Sequence, residues 1–151
     1  MSIWIFLLML AVGIFGVIAV LMRKNISEAL KLGLFLAVFD FFFQNAGGYY
    51  GVWFTKKSIL FLGFVPIEVF FIATLAGMTY YILFPRRWNT GIALSTSYLI
   101  AVVGAMIEAG LVAVDYLEYG GWWNSYWAVV AYFLTFLMMY RVNLLITKDR
   151  T

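Results

Sequence analysis

The sequence of 151 residues contains no cysteine and no histidine, and only 11% of its residues are charged. Without cysteine and histidine, the chain cannot form a disulfide, a thiolate or imidazole metal site, a Ser-His-Asp triad or a cysteine nucleophile. Acid–base chemistry must therefore come from Asp, Glu, Lys or Tyr. A metal would need oxygen ligands, which favours Mg or Ca, and we expect neither a metal nor a cofactor.

Hydrophobic residues, by contrast, make up 66% of the chain. An ordinary soluble domain is roughly 45–50% apolar, so a soluble chain of this size could not bury so much apolar surface. The net charge of +3 does not indicate a nucleic-acid partner, because the basic residues form short clusters beside apolar runs. Basic clusters in that position are typical of membrane topology signals, and the bilayer lipid is the expected partner.

Five apolar runs are each long enough for a transmembrane helix, which needs about 20 residues. No basic segment precedes the first run and no small-residue cleavage site follows it, so we interpret it as a retained span. The predicted fold is all-α: a polytopic helix bundle in a single transmembrane domain covering residues 1–151. The predicted spans are residues 3–22, 27–45, 66–84, 91–114 and 126–146.

The third apolar run, from Ile59 to Phe84, is longer than one span requires. Proline is favoured at the first position of a helix and disfavoured inside one, so we expect the helix to begin at Pro66. Residues 59–65 would then form an interfacial or re-entrant lead-in, and the alternative is one long helix kinked at Pro66. Small residues at Gly77 and Gly104 favour close helix packing.

The distribution of basic residues predicts the orientation of the bundle. With the N-terminus outside and the C-terminus inside, only Lys56 and Lys57 lie outside. Cytoplasmic loops are enriched in Lys and Arg, so this orientation is favoured and the expected location is the cell membrane, as a multi-pass protein. The eight basic residues on the inner side are Arg23, Lys24, Lys31, Arg86, Arg87, Arg141, Lys148 and Arg150.

The second and third helices, and likewise the fourth and fifth, form hairpins of the same orientation. In the first hairpin Asp40 precedes the loop Gly51-Val52-Trp53, and in the second Glu108 precedes the loop Gly121-Trp122-Trp123. Each hairpin thus carries a carboxylate in its outer half, followed by an aromatic loop. This pattern predicts a parallel internal repeat.

Three carboxylates lie within or near the apolar spans, and they are our catalytic candidates: Asp40, Glu68 and Glu108. An ionisable group in a span costs at least a few kcal/mol, so by default it faces the bundle and marks function. Asp115 is expected two turns beyond Glu108 on the same helix face. Three polar residues should join these carboxylates in a cavity that opens outward: Gln44, Asn45 and Asp115.

Each candidate also has a structural interpretation. Glu68 in the first turn of a helix could complement the helix dipole and bind free amides. Asp40 could pair with Lys56 or Lys57 at the interface. Glu108 could be a neutral acid that joins two helices by a hydrogen bond.

The stretch from residue 40 to residue 71 resembles a known family. Asp40, the loop Gly51-Val52-Trp53-Phe54 and the segment Pro66-Ile67-Glu68-Val69-Phe70-Phe71 follow each other in this order. The pattern resembles the lycopene cyclase domain of small bacterial, archaeal and fungal membrane cyclases. That family shows an Asp on one helix, a Gly-x-Trp loop, and then Pro-x-Glu-Glu followed by Phe-Phe at the start of the next helix. Val69 stands here in place of the second Glu.

The resemblance implies an isomerase or intramolecular lyase that cyclises carotenoid end groups without net redox change, beginning with protonation of a terminal double bond. Asp40 and Glu68 would be the acid and the stabiliser of the carbocation. Trp53, Phe70 and Phe71 would contact the substrate and shield the cation with their π faces. If the doubled Glu is required, the chain would be an inactive relative or would need a partner subunit, unless Glu108 substitutes for it.

Two other functions are compatible with the sequence. The carboxylates could bind a proton or a small cation in a transport protein, which with so few spans would require a homo-oligomer. The chain could also be a non-catalytic subunit of a larger membrane complex. An isoprenoid or carotenoid ligand is expected only under the cyclase hypothesis.

Overall fold

The computed structural model describes residues 2–22, 25–84 and 89–148, and this part of the chain is mostly helical. The helices of the described residues are α1 (Ile3–Met22), α2 (Ile26–Tyr49), α3 (Ile67–Leu83), α4 (Thr90–Ala113) and α5 (Ser125–Lys148). Four short strands lie between them: β1 (Trp53–Thr55), β2 (Phe61–Leu62), β3 (Val65–Pro66) and β4 (Leu117–Tyr119).

Three of the helices in residues 2–22, 25–84 and 89–148 are long and apolar enough to cross a membrane, namely α1, α4 and α5. Helix α3 is apolar but shorter, with 17 residues. Helix α2 has 24 residues and carries Glu28, Lys31 and Asp40. These helices support a membrane protein, whereas the number of spans and the orientation stay predictions.

The contacts of the chain divide it into two compact units. Unit 1 consists of Met1–Ala46 and Lys57–Phe84, and unit 2 consists of Gly47–Lys56 and Pro85–Thr151. Helix α2 therefore contributes most of its length to unit 1 and its last residues to unit 2. Five of the eight basic residues predicted on the inner side lie outside the described residues: Arg23, Lys24, Arg86, Arg87 and Arg150.

In unit 1, α1 packs against α3, and α2 approaches α3 through two glycines. A Cβ atom on Gly33 would lie 2.5 Å from the carbonyl oxygen of Thr74, and one on Gly77 would lie 2.8 Å from the Cα of Gly33. Only glycine allows backbones to come this close, so the predicted close packing at Gly77 is confirmed.

The segment before α3 is a small β-hairpin, which we call the lead-in hairpin (residues 58–66). Its strands β2 and β3 place Phe61 opposite Pro66 and Leu62 opposite Val65. Gly63 in the turn has a φ of 68°, a conformation that glycine adopts without strain. The alternative of one long helix kinked at Pro66 is therefore wrong, and α3 begins at Ile67, with Pro66 as its N-cap residue.

In unit 2, α4 packs against α5 along a face of small residues. A Cβ on Gly104 would lie 3.3 Å from the ring of Tyr132, which confirms the close packing predicted there. The side chain of Asn89 begins α4 by accepting a hydrogen bond from the Ile92 amide at 3.0 Å. The buried small residues of α4 recur every four positions: Ala93, Ser97, Ala101 and Ala105.

Helices α2 and α4 end in the same way. After α2, the amide of Gly51 donates a hydrogen bond to the carbonyl of Gly48, and the amide of Val52 donates one to the carbonyl of Gly47. After α4, the amides of Asp115 and Tyr116 bind carbonyls three and five residues earlier in the same manner. Gly51 and Asp115 both have a left-handed φ, of 66° and 58°. Both ends are thus Schellman motifs.

Each of these two helix ends leads into a strand, and the strands pair with each other. Antiparallel β1 and β4 place Phe54 opposite Glu118 at the centre of the pair. The Lys56 amide binds the Tyr116 carbonyl at 2.9 Å, and the Gly120 amide binds the Val52 carbonyl at 2.8 Å. These two bonds are equivalent under an approximate two-fold axis through the pair.

Within this pair of turns and strands, Gly51 is equivalent to Asp115, whereas the predicted repeat matches Gly51 with Gly121. The predicted equivalence of Asp40 and Glu108 stays a prediction.

Candidate functional site

Asp40 lies in α2 of unit 1 and is half-buried. The side-chain amide of Gln44, one turn later, donates a hydrogen bond to its Oδ2 atom at 2.8 Å. Residues four apart on a helix lie on the same face, so the sequence spacing alone accounts for this contact. Gln44 therefore orients the carboxyl of Asp40.

Asn45 joins the end of α2 to the lead-in hairpin. Its amide nitrogen donates to the carbonyls of Phe41 at 2.9 Å and of Leu62 at 3.5 Å, and its oxygen accepts from the Phe64 amide at 2.9 Å. A Cβ on Gly63 would lie 2.1 Å from this oxygen, so the turn closes over Asn45 only because residue 63 is glycine. Asn45, predicted to bind substrate, thus holds two backbone segments together.

Glu68 begins α3 and is only 4% exposed. Its Oε2 atom accepts a hydrogen bond from the Ser58 hydroxyl at 2.5 Å, and its Oε1 atom accepts a longer one from the Ile59 amide at 3.4 Å. The residue before α3 makes no side-chain cap. These two hydrogen bonds direct the carboxylate at the lead-in hairpin.

Phe70 and Phe71 follow Glu68 on α3, with ring centroids 6.1 Å apart in an edge-to-face arrangement. Phe71 is exposed and Phe70 is half-buried. Phe42, beside Asp40 on α2, is also exposed. Exposed phenylalanines suit contact with lipid, and Phe70 is the less exposed residue of this pair.

Trp53 lies in β1 of unit 2 and is 7% exposed. Its ring centroid is 4.5 Å from that of Trp123, and a Cβ on Gly47 would lie 2.1 Å from its ring. The indole is thus packed between the end of α2 and the loop before α5. Its predicted contact with substrate stays a prediction, and its observed contacts stabilise the loops of unit 2.

The sequence predicted Asp115 on the helix face that carries Glu108. This prediction is wrong, because α4 ends at Ala113. Asp115 is the left-handed residue of the turn that follows, and its side chain is 64% exposed. The ammonium of Lys56 lies 2.8 Å from Asp115 and 2.7 Å from Glu118. Hydrogen bonds, first to Asp115 and then to Glu118, raise the pKa of Lys56. Lys56, one of the two lysines considered as a partner of Asp40, thus has two carboxylate partners in unit 2.

Glu108 is half-buried on α4 and lies near Tyr119 of β4, which is itself near Ser125 at the start of α5. Burial raises the pKa of the Tyr119 hydroxyl, the negative charge of Glu108 raises it further, and Ser125 opposes the shift. The Glu108 Oε2 atom is itself buried. Glu108 therefore belongs to a polar cluster of unit 2, whereas Asp40 and Glu68 belong to unit 1.

Glu28 is a buried carboxylate that is not among the three catalytic candidates predicted from the sequence. It lies in the first turn of α2, is 7% exposed, and accepts a hydrogen bond from the hydroxyl of Tyr81 in α3. Glu28 lies on the same face of α2 as Ala29 and Leu32, which are fully buried. The apolar residues at these two positions are the feature of the sequence that could have indicated its burial. A carboxylate on an apolar helix face is expected to find a partner on the neighbouring helix.

In residues 2–22, 25–84 and 89–148, no group of three or more Asp or Glu side chains is placed to hold a metal ion. Comparison of the chain with models of protein families, with curated proteins and with solved structures found no match. The resemblance of residues 40–71 to the lycopene cyclase domain therefore rests on the sequence pattern.

Proposed function

We propose that the protein is a multi-pass membrane enzyme that modifies an isoprenoid, in the manner of a carotenoid cyclase, at Asp40 and Glu68. The observation that carries this proposal is the bridge made by Asn45. It attaches the end of α2, which bears Asp40 and Gln44, to the lead-in hairpin, whose first residues hold Glu68. The two acidic motifs of the resemblance, 28 positions apart in the sequence, thus belong to one hydrogen-bonded unit.

The contacts of the two carboxyl groups suggest different roles. Gln44 binds one oxygen of Asp40, which leaves the Oδ1 atom to deliver a proton to a terminal carbon–carbon double bond. Both oxygens of Glu68 face donors, so its charge has a fixed position beside a developing cation. A neighbouring double bond of the substrate would attack the cation and close a ring. Loss of a proton from the neighbouring carbon to the carboxylate of Asp40 would then restore a double bond and the acid, so the reaction needs no redox partner.

The proposed topology has five spans with the N-terminus outside and the C-terminus inside. Helices α2 and α3 would complete the set begun by α1, α4 and α5, and the count of basic residues supports this orientation. Four exposed aromatic residues of unit 2 surround the β1–β4 loops, as in an interfacial aromatic belt. They are Tyr49, Tyr50, Trp122 and Tyr126.

The test is expression in a bacterium that accumulates lycopene, followed by chromatography of the pigments. We expect a cyclised product from the wild-type chain and none from Asp40→Asn or Glu68→Gln. The matched control is Glu28→Gln, which changes a buried carboxylate of the same unit that binds Tyr81. Unmodified lycopene with the wild-type protein present in the membrane would refute the proposal, and so would full activity of both amide variants.

A second function, that of a non-catalytic subunit in a membrane complex, is favoured by one observation. Val69 stands where the resembled family has a second Glu, so a partner subunit would have to supply the missing acid. Purification from the native membrane in a mild detergent tests this alternative. A stoichiometric second protein supports it, and a monomer or homo-oligomer of the chain argues against it.

A further inference from the structure

The lead-in hairpin presents a mostly apolar outer surface. Ile59, at its start, is 75% exposed. Four more large apolar side chains of the hairpin are exposed: Leu60, Phe61, Leu62 and Phe64. Such a surface is unfavourable in water. The hydrocarbon core is also unfavourable, because the strands pair over only two residues each and leave backbone groups that need water. The hairpin therefore suits the boundary between headgroups and acyl chains.

Hydrogen bonds attach this hairpin to the helices of unit 1 at both ends. At its tip, Asn45 of α2 binds the Phe64 amide and the Leu62 carbonyl. At its base, Ser58 and Ile59 bind Glu68. Val65 and Pro66, next to α3, are buried, whereas residues 59–64 are exposed. This exposed part opens at a lower free-energy cost than the packed helices.

We propose that the lead-in hairpin is a lid that opens toward the bilayer and gives an apolar chain access to Glu68. This inference rests on the proposed function, because it supplies the route by which a lipid-soluble substrate reaches the acid. Glu68 is nearly fully buried, and the groups bound to its carboxylate come from Ser58 and Ile59 of the hairpin. A substrate can contact the carboxylate only after these groups have moved. The apolar outer surface of the lid favours a hydrocarbon chain over a polar solute.

The structure offers a position for locking the lid. A Cβ atom on residue 63 would lie 3.1 Å from the Cγ atom of Asn45, close to where the sulfur of a cysteine at position 45 would be. This separation suits a disulfide, because an S–S bond of about 2.05 Å places the Cβ of one cysteine about 3 Å from the sulfur of the other. The native chain has no cysteine, so within one chain the double variant Asn45→Cys/Gly63→Cys can form only this bond. Gly63→Cys is also tested alone, because Gly63 has a left-handed φ that other residues adopt with strain. Asn45→Cys is tested alone because it removes the hydrogen bonds of Asn45 to the hairpin.

The readout is modification of Glu68 by dicyclohexylcarbodiimide, a lipid-soluble reagent for carboxyl groups. Mass spectrometry of the peptide identifies the modified residue, and Glu68→Gln gives the background. In proteoliposomes, we expect modification of Glu68 in the reduced double variant and in both single variants. Oxidation should lower it to background in the double variant only, and reductant should restore it. Equal modification in the locked and unlocked states would overturn the inference, and so would no modification in either state.

Conversion of lycopene by the same variants separates this inference from the proposed function. Conversion that stops on oxidation and resumes on reduction supports both. If the lock controls the modification of Glu68 while neither the wild-type chain nor any variant converts lycopene, the lid is retained and the cyclase proposal fails. If the locked protein still converts lycopene, the cyclase proposal is retained and the lid is refuted.

Discussion

The close approach of α2 and α3 makes Gly33 a sensitive position for stability. In Gly33→Ala, the new methyl group would lie 2.5 Å from the Thr74 carbonyl oxygen and 2.7 Å from the Cγ of Met78. The methionine side chain can move aside, but the backbone carbonyl belongs to a helix. The helix must therefore shift, and overpacking of this kind costs about 1–3 kcal/mol. Alanine has the better helix propensity, which offsets about 0.5–1 kcal/mol.

Gly16→Ala is the matched control, because Gly16 lies inside α1 with no atom within 4 Å of the position of its Cβ. It should stabilise the protein by up to about 1 kcal/mol through helix propensity alone. For a chain of this length, a change of 1 kcal/mol shifts the Tm by roughly 2–4 °C. We therefore expect Gly33→Ala to lower the Tm by several degrees and Gly16→Ala to leave it unchanged or raise it slightly.

The assay is thermal unfolding in detergent micelles, followed by the fluorescence of the six tryptophans. Both variants change glycine to alanine inside a helix, so propensity and detergent effects are the same in both. If Gly33→Ala is as stable as Gly16→Ala, the two helices do not approach as described. The packing of unit 1 would then have to be revised.

Two further predictions concern hydrogen bonds and charge. Tyr81→Phe removes the hydroxyl that donates a hydrogen bond to the buried Glu28, so it should lower the free energy of unfolding by about 1–3 kcal/mol. Denaturant titration measures this loss, and Tyr49→Phe, at an exposed tyrosine, is the control. A loss no larger than that of the control would contradict the prediction. At pH values below 10.5, the ordinary pKa of lysine, Lys56→Met should have a slightly lower Tm than the wild type. The reason is that folding raises the pKa of Lys56. This difference from the wild type should disappear as the pH rises through the raised value, and a difference that grows there would argue against the ion pairs.

The apolar runs predicted the helices because length and hydropathy are local properties of the chain. Their ends were harder to predict. The predicted second span ends at Asn45, before Gly47-Gly48, yet α2 continues to Tyr49. The ring of Trp53 occupies the space that a side chain on Gly47 would need, so this glycine serves packing within a helix. Glycine can therefore lie inside a helix where a neighbouring side chain packs directly against the helix backbone.

The sequence predicts the contacts of the candidate site within one helix, but not the contacts made by the lead-in hairpin. The contact between Asp40 and Gln44 follows from their spacing of four residues on one helix. The attachment of Asn45 to Phe64 and the burial of Glu68 under Ser58 depend on a two-residue β-ladder. No periodicity in the sequence reveals so short a ladder, because hydrophobic alternation is recognisable only over four or more residues.

The pairing of β1 with β4 has a consequence for the synthesis of the protein. Phe54 and its partner Glu118 are 64 residues apart. At a rate of about 5–20 residues per second, the ribosome needs roughly 3–13 s to make the second strand after the first. During this interval the backbone groups of Trp53–Thr55 have no strand to bind and must be hydrated. Under the proposed topology, insertion into the membrane would deliver this loop to the aqueous side before its partner strand exists.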